Sequence, residues 1–482
     1  MPSLRGPDIG LAARRVLESF PVEGADELEV EIAGDVVRLR GRLARWEDVV
    51  EVGHALAKES GLSNLVCEVR ADDEQKTTPP PMPEIPVGAL PARAEAVVVG
   101  GGIVGMAVAR GLVRSGLDVL VLEAGGAIGG ASTSWNNGMI HSGLDPTPGT
   151  LKARLNVRGN LLWPALAAEL DIPILRTGSL LVAFDEDGVG ELERFLGRAR
   201  ANGVPGAEIV SGLRALELEP GLNPKVVAAL WTPSAAYIDA VEAARAMAED
   251  IREHGGKIVL RAPVTGVEVQ AGRVVGVSIQ TAQVETDLVV NAAGLNADRV
   301  AALAGCQRYS IHPRRGTLLL FDAEAGAPFR RAVGLPPLPY TKGGGLTPRP
   351  GGEMVGGPSA AEQADRHRAD PAAWEVEEIL EKGSSLLPSF PLEAVREVGS
   401  GLRAATYSED FVIGSAPGVD GFFDVAGMQS PGVASIPAVV ELVLDRLRSD
   451  GMLARTDAPF TTRAERRSQR RNTEEHGGGD HA

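Results

Sequence analysis

The sequence predicts an α/β fold built on a Rossmann-like unit, with a small α+β domain ahead of it. Three observations lead there: a glycine-rich βαβ signature at residues 97–125, short alternating segments before residue 74, and a proline-rich break between the two. The signature opens with the β-branched run Val97, Val98, Val99, which suits a buried strand. Gly100, Gly102 and Gly105 follow. The first permits a tight turn, the second lets backbone N–H groups approach a pyrophosphate at a helix N-terminus, and the third lets helix and strand pack closely. Val104, Val108, Leu112 and Val113 give that helix its apolar face, and Gly116 closes it. A second strand at 119–122 ends at Glu123, positioned to accept both hydroxyls of an adenosine ribose. Strand, turn, helix, strand and acid in this order point to FAD or NAD, where a lone glycine triplet would not.

The segment after Glu123 separates the two cofactors. Residues 129–138 read Gly-Gly-Ala-Ser-Thr-Ser-Trp-Asn-Asn-Gly, where a nicotinamide dehydrogenase would continue into alternating strands and helices. Thr133, Ser134 and Asn137 can offer hydroxyl and amide groups to a diphosphate and to a flavin edge, so FAD is expected. An ordinary polar loop is the alternative.

At 482 residues the chain exceeds one simple domain. Apolar residues make up 44% and aromatics only 4%, so Ala, Val and Leu must fill the core. A net charge of −16 argues against nonspecific nucleic-acid binding. No apolar run reaches the length of a membrane span, and residues 1–8 lack the basic and apolar regions of a secretion signal. The two cysteines, Cys67 and Cys306, form no disulfide framework and no metal or iron–sulfur ligand set, so no metal is expected. A cytoplasmic location is expected, with peripheral attachment at a membrane as the alternative.

Composition divides the chain into four parts. Residues 1–74 hold an amphipathic stretch (9–20), two short strands (27–32 and 35–40), a helix (46–59) and a last strand (63–70). Residues 75–93 are proline-rich and favour extended polyproline II, a semi-rigid tether between two self-sufficient cores. Residues 94–455 form the catalytic body. Residues 456–482 contain Arg463, Arg466, Arg467, Arg470 and Arg471 and end glycine-rich, so disorder is expected there.

The first part resembles a BON domain, through Gly34, Gly41-Arg42-Leu43, Ala55-Leu56-Ala57 and Gly61-Leu62-Ser63-Asn64-Leu65-Val66. That resemblance implies membrane attachment or protein contact, and the lack of a secretion signal favours contact. The body resembles FAD-dependent oxidoreductases of the D-amino-acid-oxidase fold, nearest to type-2 glycerol-3-phosphate dehydrogenases and oxidases, then L-2-hydroxyglutarate dehydrogenases. The residues that carry this are Asn136-Asn137-Gly138-Met139-Ile140-His141-Ser142-Gly143, Arg176-Thr177-Gly178-Ser179-Leu180, Asn291-Ala292-Ala293-Gly294, His312-Pro313-Arg314-Arg315-Gly316, Gly401-Leu402-Arg403 and Gly427-Met428-Gln429-Ser430-Pro431-Gly432. Counted from the glycine signature at Val97, they run in family order over roughly 340 residues. Two departures stand out. Thr317-Leu318 follows Gly316 where relatives carry Glu or Gln and an aromatic, and the C-terminal cysteine-rich domain of several relatives is replaced by the Arg-rich stretch.

The resemblance implies an FAD domain interleaved with a mixed-sheet substrate domain. It also implies a cofactor site that adds Val264, Ala293, Gly294, Gly427, Gln429, Ser430, Gly432 and Val433 to the glycine turn. Flavin oxidation of a hydroxy compound needs a hydride path to flavin N5, a proton acceptor and an anchor for the substrate's charge. His141 suits the proton step, since imidazole titrates near neutrality. Arg403 suits the anchor, because a guanidinium fork pairs bidentately with carboxylate or phosphate. Arg315 could only neutralise charge. An apolar helix at 433–447 would point its N-terminus at flavin N1/O2 and stabilise negative charge there. The expected substrate is a small anionic hydroxy compound, glycerol 3-phosphate or a 2-hydroxy acid. The electron acceptor would be oxygen, a quinone or a redox partner, and a protein partner could engage the N-terminal domain or the Arg-rich stretch. The alternatives are a flavin amine or amino-acid oxidase or dehydrogenase, and a flavoprotein subunit of a larger complex.

Overall fold

Buried on both faces, the strand Ala96–Val99 splits its side chains by simple alternation. Ala96 and Val98 join a core with the helices, while Val97 and Val99 join a second core with an antiparallel ribbon. Val119 and Val121 on the next strand also face the helices, and Leu120 and Leu122 the ribbon. In this computed structural model, which describes residues 6–60, 64–74, 90–280, 282–326, 328–337 and 343–454, these strands centre a six-stranded sheet. Its order is Lys257–Val259, Val119–Leu122, Ala96–Val99, Val289–Asn291, Phe422–Ala426 and Val412–Ser415, parallel except for the last. Continuous apolar strands fit a parallel sheet covered on both faces. Helices Ile103–Arg114, Ala240–Glu253 and Gly432–Ser449 pack together on one face, and the ribbon Gly266–Gln270, Arg273–Ile279 and Ala282–Glu285 covers the other.

Between visits to this sheet the chain builds a nine-stranded mixed sheet, so the two domains are interleaved. Its longest pair is antiparallel, Ile311–Phe321 against Val395–Thr406, with Arg314 opposite Arg403, Arg315 opposite Leu402 and Gly316 opposite Gly401. The junction of this pair with the parallel sheet is where the site forms.

The N-terminal unit has three strands, Glu29–Ala33, Val36–Leu43 and Leu65–Ala71, with helices Gly6–Ser19 and Trp46–Ser60. Its core takes in Tyr407 of the body alongside Val37, Leu39, Val52 and Leu56. The Ser310 N–H donates to the Leu65 carbonyl at 3.0 Å, the Cys67 N–H donates to Ser310 Oγ at 2.9 Å, and Arg308 pairs with Asp35. The expectation of two self-sufficient cores is therefore corrected. An aromatic ring of the body completes the smaller core, a contact that no local pattern in either segment announces. Most of the proline-rich segment (residues 75–89) and the whole Arg-rich stretch (456–482) lie outside the described residues. No helix among the described residues is long and apolar enough to cross a membrane.

Candidate active site

The glycine turn creates the first wall of a cavity of about 600 Å³. Gly100 adopts φ +115°, and a Cβ there would lie 2.3 Å from the Ala292 carbonyl oxygen, so only glycine fits between the two strands. Gly105 stands behind the wall, where a Cβ would meet the Gly100 carbonyl at 2.0 Å; this is the close helix–strand approach expected of it. Gly102 faces the cavity, and a Cβ would find only Thr133 Oγ1, at 3.4 Å. Backbone N–H groups are thus open to an anion at the N-terminus of Ile103–Arg114, where the helix dipole also favours negative charge. Thr133 Oγ1 accepts the Ile103 N–H at 3.1 Å. Glu123 lines the cavity and accepts the N–H groups of Gly101 (2.5 Å) and Gly125 (2.6 Å), which fix its carboxylate at the strand end.

From there the wall runs past Val264, Ala293 and Gly294 to Gln429, Ser430, Gly432 and Val433 at the N-terminus of helix Gly432–Ser449. Asn137 lines it too. Ser134 does not; its hydroxyl donates to the Ala131 carbonyl at 2.7 Å. Gly427 also stands off the wall, at φ +68° in the turn before Gln429. A glycine cradle, an anion-favouring helix end, an acid at the strand terminus and a long shared cavity together fit an adenine dinucleotide carrying a flavin.

His141 and Arg403 reach the same cavity. Asn136 Oδ1 accepts the Gly138 N–H at 2.8 Å and shapes the turn into the strand Met139–Ile140, which delivers His141. The histidine carbonyl accepts from Asn156 Nδ2 (2.7 Å) and Asn160 Nδ2 (3.2 Å) on the helix Leu151–Leu170. Arg403 lies across Gly316, where a Cβ would meet its Nη2 at 2.3 Å. Its guanidinium donates to the carbonyls of Arg315 (3.1 Å) and Ser359 (3.0 Å) and makes no ion pair among the described residues. Burial, and then the neighbouring Arg314 charge, lower its pKa to about 10, which leaves it cationic at neutral pH.

Arg315 is not brought to the cavity. Strand alternation sends Gly316 and Leu318 to the cavity wall, and Arg315 with Thr317 to the opposite face. There Arg315 pairs with the fully buried Glu375 at 3.0 Å and with Gln363 at 3.1 Å. The arginine beside the cofactor wall is Arg314, which sequence reasoning passed over. It binds Glu362, Glu409 (2.8 Å) and Gln429 Oε1 (3.3 Å), and those two carboxylates raise its pKa against the cost of burial. Burial would raise the pKa of Glu409, but Arg314 and Lys152 hold it well below the usual carboxylate range. Lys152 is buried, with its ammonium 3.7 Å from Glu409. His54 of the N-terminal unit enters the same cluster, and burial lowers its pKa to about 4.

The family described as "DAO: FAD dependent oxidoreductase" matches residues 95–446. The chain is similar to a glycerol 3-phosphate dehydrogenase of Caloramator mitchellensis, with 33% identity over 357 residues that cover 74% of each chain. It is 34% identical over 275 residues to a mitochondrial L-2-hydroxyglutarate dehydrogenase of Caenorhabditis briggsae, covering 55% of this chain and 63% of that one. Among solved structures, the dithionite-reduced L-alpha-glycerophosphate oxidase of Mycoplasma pneumoniae with FAD bound superposes with a TM-score of 0.71 at 26% identity. That likeness covers 77% of this chain and 97% of the other.

Proposed function

Because the chain belongs to the FAD dependent oxidoreductase family, we propose that it oxidises a small anionic hydroxy compound, with glycerol 3-phosphate the first candidate and a 2-hydroxy acid the second. The observation that carries this reading is Arg403, a cation on the cavity wall bound only to two carbonyls and to no carboxylate among the described residues. A guanidinium so placed can take a phosphate or carboxylate through charge-assisted hydrogen bonds. FAD, when bound, supplies the hydride acceptor. His141 accepts the hydroxyl proton, and Asn156 and Asn160 hold its backbone in place. Glu123 would hold the cofactor's ribose, and the Gly102 backbone at the helix N-terminus would meet its pyrophosphate. The relatives named for glycerol 3-phosphate and L-2-hydroxyglutarate support the hydroxy-compound reading.

The electron acceptor is oxygen, a quinone or a redox protein, and the N-terminal unit and the Arg-rich stretch are the regions for a protein partner. A cytoplasmic place, free or peripheral at a membrane, accompanies this reading. The test is anaerobic bleaching of the flavin by a panel of polyol phosphates, 2-hydroxy acids and amino acids. Bleaching by the first two classes alone is expected. Bleaching by amino acids alone would replace the reading with an amine-oxidising one.

A further inference from the structure

We propose that His54, contributed by the N-terminal unit, is a positioning residue of the flavin site, acting through Arg314 on Gln429. His54 is buried on the helix Trp46–Ser60. Its Nδ1 lies 2.9 Å from the Tyr407 carbonyl and its Nε2 lies 3.3 Å from Arg314 Nη2. Arginine only donates, so Nε2 must accept, and the proton sits on Nδ1, which donates to the carbonyl. Nε2 also lies 3.5 Å from Glu409 Oε1, but the ring is buried and faces the Arg314 charge at shorter range, and both favour the neutral form with its proton on Nδ1.

The next link is Arg314. Its fork is divided among His54, Glu409, Glu362 and the side-chain oxygen of Gln429. With Oε1 taken by Arg314, the Gln429 amide can turn only its Nε2 toward Glu409, and it does so. Gln429 lines the cavity between Met428 and Ser430, directly before the helix whose N-terminus closes that wall. Two contacts therefore lead from the N-terminal unit to the cofactor wall. The docking itself is close: a Cβ at Gly53 would lie 2.2 Å from the Tyr407 ring, and His54 meets the His312 ring edge-on at 5.2 Å.

His54, His312 and Glu409 also present ligand atoms within 4.8 Å of one another. A metal ion is not the better reading, because Arg314 already donates to His54 and Glu409 and its charge would oppose a cation there. The arrangement acts as a hydrogen-bonded strut, and it does not depend on which substrate is oxidised.

The test uses the full-length chain stripped of flavin and titrated with FAD, followed by flavin fluorescence and by the visible spectrum of the bound form. His54→Ala should weaken FAD binding by about 10-fold, the scale of losing one hydrogen bond to a charged group, and should displace the visible band. His54→Gln, whose amide oxygen can still accept from Arg314, should return both to near the native values. Native affinity and spectrum in His54→Ala, whatever happens to its melting temperature, would overturn the proposal. If His54→Ala does not fold, Gly53→Leu decides, since it wedges the helix off Tyr407 and leaves His54 present. A weakened, spectrally shifted flavin in that variant supports the strut, and an unchanged one overturns it.

Discussion

Replacing Arg403 by leucine removes the cation on which the substrate proposal rests. The guanidinium remains charged at neutral pH, because its pKa of about 10 stays above that range even after burial and the Arg314 charge have lowered it. It has no internal carboxylate to satisfy among the described residues, so an anionic substrate would be its charge partner. Breaking such a pair costs about 2–5 kcal/mol, which is about 30- to 4,000-fold in kcat/KM. The same change leaves the carbonyls of Arg315 and Ser359 without this donor, at about 1–3 kcal/mol each. FAD content and melting temperature are therefore measured beside kinetics. Arg403→Lys should recover part of the loss, since an ammonium keeps the charge without the fork. The assay compares an anionic substrate with its neutral analogue. Equal losses for both, with FAD retained, would refute the anchoring role and leave Arg403 a structural residue.

The other predictions act on neighbouring parts of the site. Gly316→Ala should reproduce much of the Arg403→Leu defect without removing the charge, because the new methyl would occupy the guanidinium's place, 2.3 Å from Nη2; native kcat/KM would contradict this. Gly102→Val should abolish FAD binding by filling the pyrophosphate approach, and full flavin occupancy on purification would count against the cofactor placement. His141→Ala should keep FAD but slow anaerobic reduction by on the order of 10²–10⁴-fold, while an unchanged rate would mean that another group takes the proton. The last concerns pH. Native His54 titrates at about 4 against 6.5 normally, so the unfolded state binds more protons in between, and this residue lowers stability by about 3 kcal/mol as pH falls through that window. Asp424, raised to about 6 from 3.8 by burial against its hydrogen bonds to Tyr309 and Asn291, does the opposite and adds about 3 kcal/mol over nearly the same window. His54→Gln should therefore gain stability relative to the native chain between neutral pH and about pH 4; parallel pH profiles of melting temperature would contradict the buried neutral histidine.

What was legible followed from local chemistry. The βαβ unit could be read because its glycine positions are dictated by close approaches, such as Gly105 against the Gly100 carbonyl, that no other residue permits. The C-terminal helix was visible from its apolar run and forms at Gly432–Ser449. Of the two adjacent arginines, the family pattern singles out Arg315. A period of two counted from Gly316 would have placed Arg314 on the flavin side and Arg315 behind the sheet. The pairing of Lys152 with Glu409, and of His54 with Arg314, joins residues more than 250 positions apart, and neither end carries a local signature. The proline-rich segment suggested independence for the N-terminal unit, yet the fit of Gly53 against Tyr407 is a tertiary contact that composition does not encode.

The central claim is that one cavity joins a flavin, a proton acceptor and an anion anchor. Anaerobic single-turnover reduction tests it most directly, with glycerol 3-phosphate compared against glycerol in the same holoenzyme. Rapid, saturable loss of the visible flavin band is expected with the phosphate ester and little with the neutral polyol. If a 2-hydroxy acid is the true substrate, the same contrast moves to that acid and its neutral amide. Equal reduction by charged and uncharged members of both pairs, or by none of them, would contradict the account.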